Sequence, residues 1–277
     1  MFARTVIIIG LLSLPGARSA AADDAAQVAA LLEKAKQITS YRCTLQRETR
    51  NAVIANKKVE WADAKSEATV ARRLPDYALV ETRGWLNPAR AGAPHEKEAA
   101  RKRVLNPKVM WDYLDRGNQA TRVNLARLRE QRGEAAAQAL VTSSLGDSDP
   151  LYWFLILDPK SARLVDTKTA GRHTLYVIEG VPSGPLPMGE VTDSIAAQRK
   201  IQVTVLEDGF PRNVLVQRYA QVDVLKLNAS GVDLNPELPA ELFHFTPPPG
   251  CQITDQTDAA VNMFGAAPKA ENAPTKP

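Results

Sequence analysis

The chain has 277 residues, of which 44% are hydrophobic and 24% charged, as in an ordinary globular protein. At roughly 100–200 residues per domain it forms one large β domain or two small ones. Its 35 Lys and Arg face 31 Asp and Glu, and without Arg4 and Arg18 in the first 22 residues the balance is 33 against 31. Such nearly equal numbers of positive and negative charges argue against a nucleic-acid partner, because binding one requires a basic surface.

The first residues have the order of a secretory signal peptide. Arg4 precedes the apolar run Val6–Leu14, and small residues follow up to Ala22. The run is shorter than the ~20 residues that a membrane-spanning helix needs. We therefore expect export to the periplasm as a soluble protein, with cleavage near Ala22. We expect no lipid anchor, because no cysteine stands directly after that position.

Beyond the leader, hydrophobic periodicity predicts one helix and then a series of strands. Residues 24–40 carry apolar side chains at helical spacing, with Asp23 or Asp24 suited to cap the helix. Alternating apolar and polar residues then predict about ten to eleven strands. These lie near residues 41–46, 59–61, 67–73, 77–82, 103–105, 108–113, 162–166, 173–179, 201–205, 213–219 and 222–227. The Asp208-Gly209 turn is the clearest hairpin signal.

Two helical segments interrupt the strands in mid-chain. The period is helical between Val123 and Ser144, although Gly133 weakens the middle. Asp149-Pro150 then combines a capping carboxylate with proline at the first helical position. The segment Leu151–Leu157 that follows is apolar on every side. Such a helix is either part of a core or a removable cover, and the sequence leaves both interpretations open.

These elements predict an α+β fold, in which helices cover the concave face of a strongly curved antiparallel sheet. We expect a single domain over residues 23–257. From Asp258 onward Ala, Pro, Lys and Asn predominate, which predicts a disordered tail over residues 258–277.

The two cysteines and three histidines give little sign of special chemistry. Cys43 and Cys251 lie near the two ends of the predicted domain. In an oxidising compartment they could form a disulfide, and two free thiols are the alternative. The histidines have no metal-ligand spacing with one another or with the cysteines, so we expect no metal site.

Four segments, in order, match the pattern of one known family. A helix leads into a strand with Leu-Gln-Arg in residues 40–47. Residues 71–81 have the strand–turn–strand form of a Lys-Arg-Pro-Asn motif, and residues 105–113 that of an Asp-Gly-Lys-x-Leu-Trp-x-Tyr hairpin. Residues 243–250 read Phe-His-Phe-Thr-Pro-Pro-Pro-Gly, like a closing Phe-x-Phe-x-Pro-Pro-x-Gly strand. The chain therefore resembles the outer-membrane lipoprotein carriers, the LolA-like periplasmic family.

The resemblance implies an unclosed β half-barrel whose apolar cavity holds the acyl chains of a lipoprotein. It also implies an inner-membrane donor and an outer-membrane acceptor protein, and a monomer is expected. Twelve apolar residues are the candidate cavity lining: Leu45, Val59, Trp61, Leu79, Val109, Trp111, Trp153, Phe154, Ile156, Val177, Val203 and Val205. The tryptophans among them suit an aromatic core equally well.

In the family, an arginine at the Lys-Arg-Pro turn holds the helical lid. Here that residue would be Arg73, but Leu74 precedes Pro75, so Arg72 is the alternative. A solvated strand-end charge is the ordinary interpretation of Arg73. The chain is also longer than a typical carrier, with insertions near residues 87–103, 123–148 and 181–198.

No catalytic motif accompanies these features. The sequence lacks Gly-x-Ser-x-Gly, His-Glu-x-x-His and a Gly-rich phosphate loop, so we expect neither an enzyme nor a cofactor. The resemblance implies a soluble periplasmic carrier that transfers lipoproteins toward the outer membrane. The alternative is an envelope regulator or assembly factor that uses the same half-barrel to bind a protein or lipopeptide partner. An interior filled by the protein's own side chains would favour the alternative.

Overall fold

A computed structural model describes residues 16–55, 58–84, 99–183, 200–218 and 222–264, and gives the backbone alone for 16–22, 51–55, 58–62, 218 and 222–223. The strands are β1 Ser40–Ala55, β2 Lys58–Arg73, β3 Tyr77–Gly84, β4 Ala99–Leu105, β5 Val109–Leu114, β6 Gln119–Asn124, β7 Arg163–Ala170, β8 His173–Gly180, β9 Lys200–Leu206, β10 Pro211–Arg218, β11 Val222–Leu234 and β12 Gln252–Asp255. The helices are α1 Gly16–Lys36, α2 Leu125–Arg132, α3 Glu134–Leu145, α4 Pro150–Leu155 and α5 Thr257–Met263.

All strands belong to one 12-stranded sheet in the order β12-β6-β5-β4-β3-β2-β1-β11-β10-β9-β8-β7. Neighbours pair antiparallel except β12, which runs parallel to β6. Within the described strands β7 and β12 are the two edges, so the sheet is unclosed. The predicted α+β half-barrel is confirmed. The predicted strand number was slightly low, because β6 and β12 were missed, although two predicted strands, residues 59–61 and 67–73, are one.

The sheet has two faces that differ in what covers them. Tyr41, Cys43 and Leu45 of β1 are buried on the face that packs against the helices, which we call the inner face. The register places Arg72, Val70 and Ala68 of β2 opposite these three residues in turn, and hence on the same face. The main core therefore lies between the inner face and the helices.

The helices agree with the sequence patterns except at their ends. The predicted mid-chain helix is two helices, because Gly133 separates α2 from α3 with φ +86°, a conformation that suits glycine. α1 begins before the predicted residue 24. The tail predicted from Asp258 instead begins with α5, whose Ala260 and Val261 reach the main core. Residues 265–277 lie outside the described part of the chain.

The opposite face, here called the outer face, is crossed by residues 235–251, which we call the outer strap. The closing strand predicted at Phe243–Phe245 was wrong, because residues 240–243 form a 3-10 turn and the following residues join no ladder. The two phenylalanines nevertheless both pack on the sheet, Phe243 against Tyr77 and Phe245 between Trp111 and Tyr113.

The disulfide considered for Cys43 and Cys251 is absent, and both thiols are free. Cys43 lies on β1, whereas Cys251 directly precedes the edge strand β12. Six strand-to-strand steps of about 4.8 Å separate β1 from β12 along the sheet, far more than the ~7 Å limit between bridged Cα atoms.

Candidate functional site

α4 is the apolar helix whose start signal was visible in the sequence. The Asp149 side chain accepts a hydrogen bond from the Tyr152 backbone N–H at 3.0 Å, and Pro150 occupies the first helical position. The predicted cap is therefore confirmed. Leu151, Trp153 and Phe154 are at most 1% exposed, so α4 is buried over most of its surface. It packs on β9 and β10 and against α1.

A buried polar contact joins the start of α4 to the sheet. Arg72 Nε lies 3.5 Å from Asp149 Oδ2, and the Tyr41 hydroxyl donates to Asp149 Oδ1 at 2.7 Å. Burial, reinforced by the negative charge of Asp149, raises the pKa of Tyr41 well above its ordinary value. Tyr41 therefore stays a neutral donor. Within the described residues Arg72 Nε and Nη1 are both buried without a hydrogen-bond partner, so the charge of this one carboxylate mainly holds the guanidinium.

The structure distinguishes between the two arginines considered for a lid contact. Arg72 points to the inner face and meets α4, whereas Arg73, the next residue of β2, points to the outer face. There Arg73 Nη1 donates to the Leu238 carbonyl at 3.0 Å, and its guanidinium carbon lies 3.8 Å from the centre of the Tyr77 ring. Arg73 therefore lies on the face of the sheet opposite to α4.

A second group of charges lies beside the first, where residues 144–147 meet the sheet. Arg47 of β1 bonds to Asp147, and Arg103 of β4 donates to Asp147 Oδ1 at 3.2 Å and to the Ser144 carbonyl at 2.5 Å. Burial alone would raise the pKa of Asp147, but Arg47 and Arg103 outweigh it and hold that pKa below its usual value. Asp147 therefore remains charged and anchors the end of α3 to two strands.

No motif in the sequence indicated a role for Arg47, Arg103 or Asp147. The available signal was charge at inward-facing positions: Arg47 continues the buried series Tyr41, Cys43, Leu45, and Arg103 stands directly opposite Val80. A charged side chain at an inward position needs a partner, and the polar stretch before α4 was where that partner could lie.

The twelve candidate cavity residues do not form one lining. Six lie in the main core, namely Leu45, Trp153, Phe154, Ile156, Val203 and Val205. Four lie on the outer face, namely Leu79, Val109, Trp111 and Val177, as the register of their strands requires. These four were therefore placed on the wrong face. Val59 and Trp61 belong to β2, but their side chains lie outside those described.

The expected empty hollow between sheet and helices was also wrong for the described residues. Trp153 and Phe154 fill the space above β9 and β10 and have no measurable exposure. The Trp153 indole N–H donates to the Gly146 carbonyl at 2.7 Å, which fixes the ring there. Cavities of about 530 Å³, 420 Å³ and 410 Å³ lie elsewhere, the first beside Phe245 of the outer strap, the second beside Arg101 and the third beside Trp111.

No protein-family model matches the chain, and no curated protein matches it. Several solved protein structures are similar to the chain. An uncharacterized conserved protein from Thermus thermophilus is 14% identical, over 83% of this chain and 98% of its own, with a TM-score of 0.43. A chain of the Pseudomonas aeruginosa MucA/MucB complex is 13% identical, over 81% of this chain and 61% of its own, with a TM-score of 0.37.

A LolA superfamily protein from Nitrosomonas europaea is 14% identical, over 79% of this chain and 97% of its own, with a TM-score of 0.34. Structural neighbours therefore include a LolA superfamily protein. At these identities the similarity is one of fold alone. Among the described residues, no helix is both long and apolar enough to cross a membrane.

Proposed function

We propose that this chain is an exported, periplasmic carrier that binds the acyl chains of a lipoprotein between the inner face of its sheet and α4. In this proposal α4 is a plug that cargo displaces, because the space is filled when no cargo is bound. The observation that carries it is the contact of Asp149 with Arg72 and Tyr41. It ties an otherwise apolar helix to the sheet by one small polar contact.

The energetics of displacement determine which cargo suits such a plug. Burying Leu151, Trp153, Phe154 and Ile156 contributes about 1.5–3 kcal/mol each, on the order of 10 kcal/mol together. One acyl chain of about 16 carbons has about 14 methylenes and contributes about 0.8 kcal/mol for each, about 11 kcal/mol in all. A single chain therefore hardly outcompetes α4, whereas two chains do so clearly. The proposed cargo has at least two acyl chains, as a lipoprotein has.

Arg72 takes the role of latch in this proposal. A buried ion pair adds little net stability, since desolvating both charges costs about as much as their attraction returns. When α4 moves away from the sheet, water reaches Arg72 and Asp149 together. Separating the two charges therefore costs less free energy than the distance between them suggests. The ion pair then determines the position in which α4 docks on the sheet. The apolar side chains of α4 supply most of the free energy of docking.

The leader supports export in the same proposal. The buried positions of α1 begin at Val28, so cleavage near Ala22 leaves the packed part of the helix intact. Asp23 and Asp24 would then stand at the new helix N-terminus, where negative charge is favourable. The proposed partners are an inner-membrane protein that delivers the lipoprotein and an outer-membrane protein that receives it. The proposed activity includes no catalytic step.

Binding of acylated peptides to the mature chain, residues 23–277, tests the proposal. We expect a diacylated lipopeptide to displace an apolar fluorophore and to change the fluorescence of Trp153, and a monoacylated peptide to do so at least about ten-fold more weakly. The same peptide without acyl chains is the control. Uptake of neither acylated peptide by folded protein would refute the carrier.

A second candidate is a regulator or assembly factor that binds a protein partner. The filled interior favours it, because Trp153 and Phe154 already occupy the place of a lipid. It predicts that the non-acylated peptide of a partner binds as tightly as its acylated form. The comparison of the two peptides therefore decides between the candidates.

A further inference from the structure

A group of five charged side chains on the inner face carries more positive than negative charge. It consists of Arg47, Arg101, Arg103, Asp112 and Asp147, and we call it the arginine cluster. The ion pairs of the described residues link all five: Arg101 bonds to Asp112, Arg103 lies between Asp112 and Asp147, and Arg47 bonds to Asp147. Three guanidinium groups thus share two carboxylates, which leaves one positive charge without a counter-charge.

Two of the three arginine side chains are largely shielded from water, whereas that of Arg101 is 36% exposed. The side chains of Arg47 and Arg103 are 11% and 12% exposed. Arg103 Nε lies 3.6 Å from Asp112 Oδ2, and within the described residues it has no hydrogen-bond partner although the atom itself is buried. Burial, together with the positive charges of Arg101 and Arg47, lowers the pKa of Arg103. A partly buried charge without a counter-ion is costly, so this arrangement favours binding of an anion.

A cavity gives an anion access to the cluster at Arg101 and Asp112. It has a volume of about 420 Å³ and is lined by Arg101 and Asp112 together with Gln119, Thr121 and Gln256. The two amides and the hydroxyl add neutral hydrogen-bond donors around the guanidinium of Arg101. Several donors converging beside an arginine suit an anion with several acceptor oxygens, and phosphate is such an anion.

We propose that the arginine cluster and this cavity form a binding site for a phosphate group, either free phosphate or the headgroup of a lipid. This inference goes beyond the proposed function, because the acyl part of a lipoprotein carries no phosphate. A phosphate-bearing lipid would be a second class of cargo, with its headgroup at the cluster. The phosphate site itself does not depend on the carrier being correct.

Calorimetric titration of the mature chain with inorganic phosphate at low ionic strength tests the site. We expect saturable binding that weakens about ten-fold in Arg101→Gln, which removes a charge-assisted donor. Asp112→Asn raises the excess positive charge by one and should tighten binding by about five-fold. A pair of opposite effects from neighbouring residues is not expected of a cluster that only holds the fold together.

A matched pair of threonine variants keeps the test valid if the cluster variants fail to fold. Thr121→Glu places a carboxylate in the cavity, opposite Asp112, and changes none of the five cluster residues, so phosphate binding should be lost. Thr167→Glu introduces the same charge on the exposed edge strand β7 and should leave binding unchanged. Absence of phosphate binding by folded wild-type protein, or equal binding by the two variants, would overturn the site.

Short-chain lipids then identify the source of the phosphate. If a dihexanoyl phosphatidylglycerol binds more tightly than dihexanoylglycerol, and Thr121→Glu abolishes the difference, the lipid headgroup is the ligand. If inorganic phosphate binds and the two lipids do not differ, the ligand is free phosphate. Phosphate binding without uptake of any acylated peptide would refute the carrier and leave the site standing.

Discussion

Arg72 of β2 and Asp149, the residue that caps α4, form an ion pair in which both side chains are more than nine-tenths buried, with 3.5 Å between Nε and Oδ2. The pair lies in the main core, and the Tyr41 hydroxyl completes it. Its position links two structural features, the inner face of the sheet and the helix that fills it. Substitutions at either residue therefore report on how firmly α4 is closed.

Removing one partner of this pair should destabilise the fold strongly. Arg72→Met leaves a buried carboxylate and Asp149→Asn a buried guanidinium, so we expect each to lower the free energy of unfolding by about 3–5 kcal/mol. The double variant should cost clearly less than the sum, because no charge is left uncompensated. Urea denaturation measures all three. Arg127→Met, which breaks an exposed pair with Asp258, is the control and should change little.

Truncating an apolar side chain of α4 should destabilise the fold but strengthen cargo binding. Phe154→Ala should lower the free energy of unfolding by about 3–5 kcal/mol and tighten binding of a diacylated lipopeptide by at least about ten-fold, since less apolar surface has to be displaced. Phe210→Ala is the matched control, because Phe210 is equally buried but lies outside α4. It should destabilise the protein without tightening binding. If both variants bind the lipopeptide like wild type, α4 is an ordinary core helix.

Acid should weaken the attachment of residues 144–147 to the sheet. The pKa of Asp147 is lower in the folded protein than in the unfolded chain, because Arg47 and Arg103 outweigh the effect of burial. Its contribution to stability is therefore complete above the unfolded value of about 3.9 and is lost as the pH falls through the lower folded value. Melting temperatures from pH 7 to pH 2.5 should fall less steeply for Asp147→Asn. If the melting temperatures of variant and wild type fell equally with pH, Asp147 would not be the group whose protonation weakens the fold.

The two cysteines should differ in reactivity. Cys43 is 3% exposed, and burial, followed by the charge of Asp149, raises its pKa to about 12. Its thiolate is therefore nearly absent at neutral pH, whereas Cys251 is half-buried and accessible in part. Mass spectrometry after iodoacetamide treatment should show one modified thiol in the native protein and two in urea. No modification in urea would mean that the thiols are bridged.

Local signals in the sequence predicted the parts of the fold that depend on few residues. Asp149-Pro150 marked the start of α4. Gly133 was predicted only to weaken one helix, and it separates α2 from α3. The Asp208-Gly209 turn joins β9 to β10 as predicted, with φ +82° at the glycine. Each of these depends on backbone geometry within a few residues.

What could not be predicted depends on partners distant in the sequence. β12 was missed because Gln252–Asp255 is exposed at all four positions and becomes a strand only by pairing with β6. Arg72 and Arg73 could not be told apart, since one residue decides the face on which a strand side chain lies. The filled interior depends on the volume of Trp153 and Phe154 against the sheet, which periodicity does not encode.

The position of β1 in the middle of the sheet governs the order in which this fold can assemble. One side of β1 pairs with β2, the next strand of the chain, whereas the other pairs with β11, so that Arg47 faces Leu227. The hairpins from β2 to β6 can form as soon as they are synthesised. The half that contains β7 to β11 can join them only when almost the whole polypeptide is available, and contacts of such long sequence separation form slowly. Until then the edge of β1 that pairs with β11 lacks its partner strand.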